Sequence, residues 1–156
     1  MGEIWHVLHT VAAGVWLGGV LFTMAVVSPA LKETKWPESE RVMTRTLIGR
    51  EYAKVGSINL VLLLIFAILD GAVRGFGSLF YIEYALLIVL FSLVGAHGAY
   101  FGRKLVSLAM SEKEAESPEA ARNFAAERHA LQRLSMGVSL LDLLVSAAIA
   151  VLAVIA

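Results

Sequence analysis

Four stretches of this chain carry no charged side chain: Ile4 to Leu31, Val55 to Leu69, Tyr84 to Gly102 and Leu143 to Ala156. A helix needs about 20 mostly apolar residues to cross the hydrocarbon core of a bilayer. Inside that core every backbone donor and acceptor must be satisfied within the protein, which a helix does by itself. With their flanks, the four stretches supply four such helices. The pattern excludes a water-soluble globular enzyme and predicts an all-α fold, an integral membrane four-helix bundle forming a single domain over residues 1–156. Composition agrees: 58% of residues are hydrophobic and 17% charged, against about 45–50% and 25% in soluble domains.

The net charge is zero, yet the charges are unevenly placed. Lys32, Lys35, Arg41, Arg45, Arg50 and Lys54 flank the first connection, and Arg103, Lys104, Lys113, Arg122, Arg128 and Arg133 flank the third. Only Arg74 lies near the second connection. The positive-inside rule then puts the first and third connections in the cytoplasm and both termini outside, in a membrane of the bacterial inner type. Glu3 replaces the basic start of a secretory signal, so the first apolar run reads as a spanning helix. The chain has no cysteine, which excludes disulfides, thiolate metal sites and thioether-linked haem. No basic groove-reading element speaks for nucleic acid.

Punctuation residues set the element boundaries. The first helix runs from about Glu3 to Ser28 and should end at Pro29, which lacks an amide donor. Pro37 reopens a helix that is amphipathic from Glu40 to Lys54 and continues into the second span, closing at Gly71 to Gly77. The third helix begins near Leu79, leaves the membrane at Gly102-Arg103-Lys104 and reaches about Met110. Pro118 favours a helix start just beyond it; Ala120 to Arg133 is amphipathic, and Leu134 to Ile155 forms the fourth span. Gly14 with Gly18 and Gly98 with Gly102 have the small-xxx-small spacing that admits close helix packing in lipid. No internal repeat stands out.

Ionisable groups within a span are costly, about 2.5–3.5 kcal/mol each on insertion scales, and so mark sites. His6, His9, Asp70 and Glu83 all belong to the outer layer by depth, and His6, His9, Ala13 and Trp16 share one face of the first helix. His97, Asp142 and Asn59 form a second, inner group in which an Asp–His contact would offset the cost of Asp142. His129 lies on the polar start of the fourth helix and reads as solvated. Imidazole suits haem iron and copper. His9 and His97 differ in depth by about 20 Å in a regular bundle, which disfavours one haem between them. Two haems, a haem with one histidine, or an outer metal ion on His6 and His9 with Asp70 or Glu83 remain.

The run His9-Thr10-Val11-Ala12-Ala13-Gly14-Val15-Trp16-Leu17-Gly18-Gly19-Val20-Leu21-Phe22, continued by Val26-Val27-Ser28-Pro29-Ala30-Leu31, resembles the first helix of the CopD-like family of copper-resistance membrane domains. Gly49-Arg50-Glu51-Tyr52-Ala53-Lys54-Val55-Gly56, Asp70-Gly71 and His97 with Gly102-Arg103 are similar to later stretches of that family. The resemblance implies a four-helix membrane bundle with functional histidines at His9 and His97. It also implies copper or b-type haem near them, with Trp16 and Gly18 of the same motif alongside. The related HemJ-type protoporphyrinogen oxidases commonly carry lysine where Glu83 stands, so that activity does not transfer.

Three functions follow as expectations. The first is b-type haem binding for electron transfer or service in a redox complex, with His9 and His97 as ligands. The second is copper handling through His6 and His9, with His97, Asp142 and Asn59 as a further station. The third is a cofactor-free subunit of a larger membrane assembly or a homo-oligomer. No nucleophile–base pair points to an enzyme acting alone.

Overall fold

The computed structural model describes residues 2–155. Four helices make up the fold: α1 (Gly2–Glu33), α2 (Glu38–Arg74), α3 (Ser78–Lys113) and α4 (Pro118–Ile155), each long and apolar enough to cross a membrane. The connections are four residues or fewer, so successive helices run antiparallel. We call the end holding the connections 34–37 and 114–117 the basic end, and the opposite one the terminal end.

Local chemistry explains most boundaries. Gly75 takes φ +95°, where a side chain would be strained, and its N–H closes α2 on the Gly71 carbonyl at 2.9 Å. The Ser117 hydroxyl accepts the Ala120 N–H at 3.2 Å, so α4 starts at Pro118 itself and runs unbroken through the expected junction at Leu134. α3 likewise continues past Met110 to Lys113.

Pro29 does not end α1. Upstream of it the helix widens into a π turn at Thr23–Val27, with the Ser28 N–H reaching the Thr23 carbonyl five residues back. The wider turn re-registers the backbone ahead of the proline, and the helix proceeds to Glu33. α3 has a matching π turn at His97–Phe101, where no proline is present.

α1 packs on α2 and α4, while α3 packs on α4 and, towards the basic end, on α2, leaving α1 and α3 diagonal. Leu60, Leu63, Ala67, Leu87, Leu90 and Ile149 fill the centre with at most 2% exposure. The outer surface is apolar as well, with Val15, Ile58, Ile88 and Val151 more than half exposed. In water such a surface would be an aggregation hazard; in a bilayer it is the lipid-facing wall.

One sequence expectation is corrected. Gly14, Gly18 and Gly98 face outward, and a Cβ on any of them would touch nothing. The close approaches are made instead by Gly19, which Tyr52 overlies, and Gly56, which admits Trp16. Hairpins α1–α2 and α3–α4 share a layout: a helix with a π turn, a short connection, and a longer helix opening at Pro37-Glu38 or Pro118-Glu119.

Candidate functional site

The terminal half of the bundle interior holds two histidine–carboxylate pairs. His9 on α1 and Glu83 on α3 meet across the diagonal, Nε2 to Oε1 at 2.7 Å, with exposures of 1% and 0%. One turn nearer the end of α1, His6 Nδ1 lies 3.1 Å from Asp70 Oδ2 on α2. Arg74, one turn beyond Asp70 and in the last turn of α2, places Nη1 2.7 Å from the same His6 nitrogen and 3.5 Å from Asp70 Oδ2. A cation there complements both the carboxylate and the helix dipole. Three buried atoms of this layer keep no hydrogen-bond partner: His9 Nδ1, Asp70 Oδ1 and Glu83 Oε2.

The placement follows from helix geometry. His9, Ala12, Ala13, Trp16 and Val20 form the buried stripe of α1 at three- and four-residue spacing. His9 and Glu83 also occupy equivalent positions of the two hairpins: each precedes the start of its π turn by 14 residues. A buried contact between diagonal helices lies at the centre of a four-helix bundle. Only long side chains reach across the diagonal there.

The 2.7 Å separation of Nε2 and Oε1 has room for one proton between the two residues. A neutral acid with a neutral imidazole, or a carboxylate with an imidazolium, contains the same protons and is net neutral. A single unpaired charge in that setting costs several kcal/mol, on the order of 3–5 when one partner is removed. His6 Nδ1 has two competitors. Bearing a proton, it donates to Asp70; without one, it accepts from Arg74. Whether a proton sits on that nitrogen therefore decides which neighbour it binds.

Below this layer the fully buried side chains are apolar for about 10 Å, the seven residues from His9 to Trp16, with the half-buried Asn59 amide at their margin on the Ala12 carbonyl. Trp16 Nε1 then donates to Ser146 Oγ at 2.9 Å, and Ser146 donates to Asp142 Oδ1 at 3.5 Å. Tyr52 packs beside Trp16 with its ring tilted by 38° and the centroids 6.2 Å apart. The contributions of Ser146 and Tyr52 were not legible in the sequence, since a serine and a tyrosine in a spanning helix carry no distinctive pattern.

The expected inner group is not assembled. Asn59 donates to the Ala12 carbonyl at 3.0 Å, Asp142 takes the Ser146 hydroxyl, and His97 lies exposed in its π turn against the Phe101 ring. The rise along α3 puts His97 about 20 Å below Glu83, and so below His9. A haem iron held by His9 and His97 does not fit this arrangement. His9 Nε2 is engaged by Glu83, Trp16 by Ser146, and Gly18 is on the opposite face from His9. An apolar groove of about 310 Å³ between α2 and α3, lined by Leu64, Phe76, Tyr84 and Phe91, contains no histidine. For a copper ion, His9 has Nδ1 and His6 has Nε2 outside their carboxylate contacts, but among the described residues no three His, Asp or Glu side chains form a metal-holding group.

At the basic end Arg128 forms a clasp that the sequence did not single out. Its side chain is 2% exposed and binds Glu112 Oε2 at 2.7 Å and Glu38 Oε1 at 3.1 Å, tying α4 to α3 and α2. Burial opposes the charge, but the hydrogen bonds that the guanidinium donates to Glu112 and Glu38 outweigh it and hold its pKa above the usual value. His129 is half-exposed, as expected for a solvated residue, with Nε2 3.5 Å from Glu38 Oε2.

A family model matches residues 11–114, two thirds of the chain, and is described as a domain of unknown function, DUF4149. The chain belongs to the DUF4149 family. The DUF4149 match takes in Asp70, Glu83 and His97 but begins two residues after His9 and ends before α4. It names neither copper nor haem, so the CopD-like resemblance stays a resemblance. No curated protein matches this DUF4149 chain. No solved structure matches it either.

Proposed function

We propose that this DUF4149 protein is a multi-pass membrane subunit whose working centre exchanges a proton with the aqueous phase at the terminal end. The observation that carries the reading is the 2.7 Å His9–Glu83 pair, almost fully buried yet retaining unpartnered atoms on both residues. A pair kept only for stability has cheaper apolar substitutes, and buried ionisable groups in spans usually mark function. The route has two steps: Arg74, His6 and Asp70 at the partly exposed mouth, then His9 and Glu83 one helical turn deeper. The apolar plug of Leu60, Leu63, Leu87 and Leu90 below the pair blocks a continuous wire to the basic end. The proton therefore enters and leaves on the same side, and a partner protein in the membrane supplies the coupled reaction. By the charge distribution that side faces outward across an inner membrane of the bacterial type.

The test is infrared spectroscopy of proteoliposomes transferred into deuterium oxide. The carboxyl–imidazole bands should shift, Glu83→Gln should remove the shifting band, and His6→Phe, which alters the mouth at the terminal end, should slow the shift. Bands that do not exchange mark a static structural contact and refute the proposal. On the same preparation, a visible spectrum and metal analysis check the haem and copper expectations. The geometry favours a colourless protein without stoichiometric iron or copper; a Soret band lost in His9→Ala would reinstate haem.

A further inference from the structure

The first turns of α2 carry Arg41 and Arg45 on one face, on either side of the buried Val42. Both guanidiniums are drawn partly into the protein, and Nε of each is buried without a hydrogen-bond partner. Arg41 spends Nη1 on the Lys32 carbonyl at 3.3 Å. Glu38, the acidic neighbour, has its two oxygens turned to Arg128 and His129. Burial first, and then the charge of Arg41, hold the Arg45 pKa below its usual value, against an upward pull from Glu38. Two like charges one turn apart, short of counter-charge and rich in free donors, match a tetrahedral oxyanion better than they match each other. The Lys32 contact sets Arg41 level with the point where the charge-free run of α1 ends, which is the headgroup layer of a bilayer.

We propose that Arg41 and Arg45 form a binding site for a phosphate group at the basic end. Its source is the headgroup of an anionic phospholipid in the adjacent leaflet or a free phosphate anion. On rotating outward, each guanidinium exchanges the burial of its unpartnered Nε–H for a paired contact of Nε–H and a terminal N–H with one oxygen edge, and the anion neutralises the pair. The site is independent of the His9–Glu83 layer and stands whether or not that layer exchanges protons.

The experiment uses the full chain, delipidated in a neutral maltoside detergent and titrated at constant ionic strength with dihexanoyl-phosphatidylglycerol or with sodium phosphate. The readout is the thermal unfolding midpoint. A rise with the lipid alone assigns a headgroup site, and a rise with both assigns a free-phosphate site; either supports the proposal. Arg41→Gln/Arg45→Gln should weaken the response at least tenfold, whereas Arg50→Gln, exposed on the same helix, should keep it. If the double variant does not fold, Arg45→Lys, which keeps the charge but loses the fork, should weaken the response several-fold. A wild-type midpoint unmoved by both probes, or folded Arg41 and Arg45 variants that respond like wild type, overturns the proposal.

Discussion

Glu83 and His9 neutralise one another inside a layer that would penalise either alone, so their substitutions should be strongly non-additive. Glu83→Leu should destabilise the bundle by about 3–5 kcal/mol, since it strands the imidazole, while His9→Leu/Glu83→Leu should recover most of that loss. Unfolding in mixed detergent and dodecyl sulfate measures both. Trp16→Phe, which frees the Ser146 hydroxyl from its donor, should cost only about 1 kcal/mol. The depth of the four outer ionisable residues was legible in the sequence, because the rise per residue converts position into height. Their partners were not. Which carboxylate meets which histidine depends on the rotation of each helix about its own axis, and α3, apolar nearly all round, gives little sign of it. For the same reason His97 and Asp142 suggested a contact that the structure does not make.

Helices α1 and α2 pack through Gly19 and Gly56, whereas Gly14 faces open space. Gly19→Ala drives a methyl group into Tyr52 and should lower stability by about 1–3 kcal/mol. Gly14→Ala, facing open space, should fall within about 0.5 kcal/mol of wild type. Thermal unfolding of the two variants side by side is the check. Spacing alone picked Gly14 and Gly18, but the packed face of α1 is the stripe through His9, Ala13 and Trp16, and Gly19 borders it. Four helices and their approximate ends were legible from charge-free length, proline and glycine. The continuation of α1 past Pro29 was not, because the π turn that accommodates the proline has no residue signature of its own.

Viewed whole, the molecule is two similar hairpins held at opposite ends by different means: the His9–Glu83 pair on the central axis and the Arg128 clasp at the basic end. Arg128→Gln should leave Glu112 and Glu38 without their shared cation and cost about 2–3 kcal/mol. Proteolysis should then cut the 114–117 connection faster while the spans stay protected. The central claim is that His9 and Glu83 share a single exchangeable proton on the bundle axis. Nitrogen-15 spectroscopy of histidine-labelled protein in lipid bilayers, with His9→Gln to assign the signal, addresses it directly. The account predicts a His9 ring protonated at Nδ1, with Nε2 in a strong hydrogen bond lost in Glu83→Leu. A His9 ring with a bare Nδ1, or one unaffected by Glu83→Leu, would contradict it.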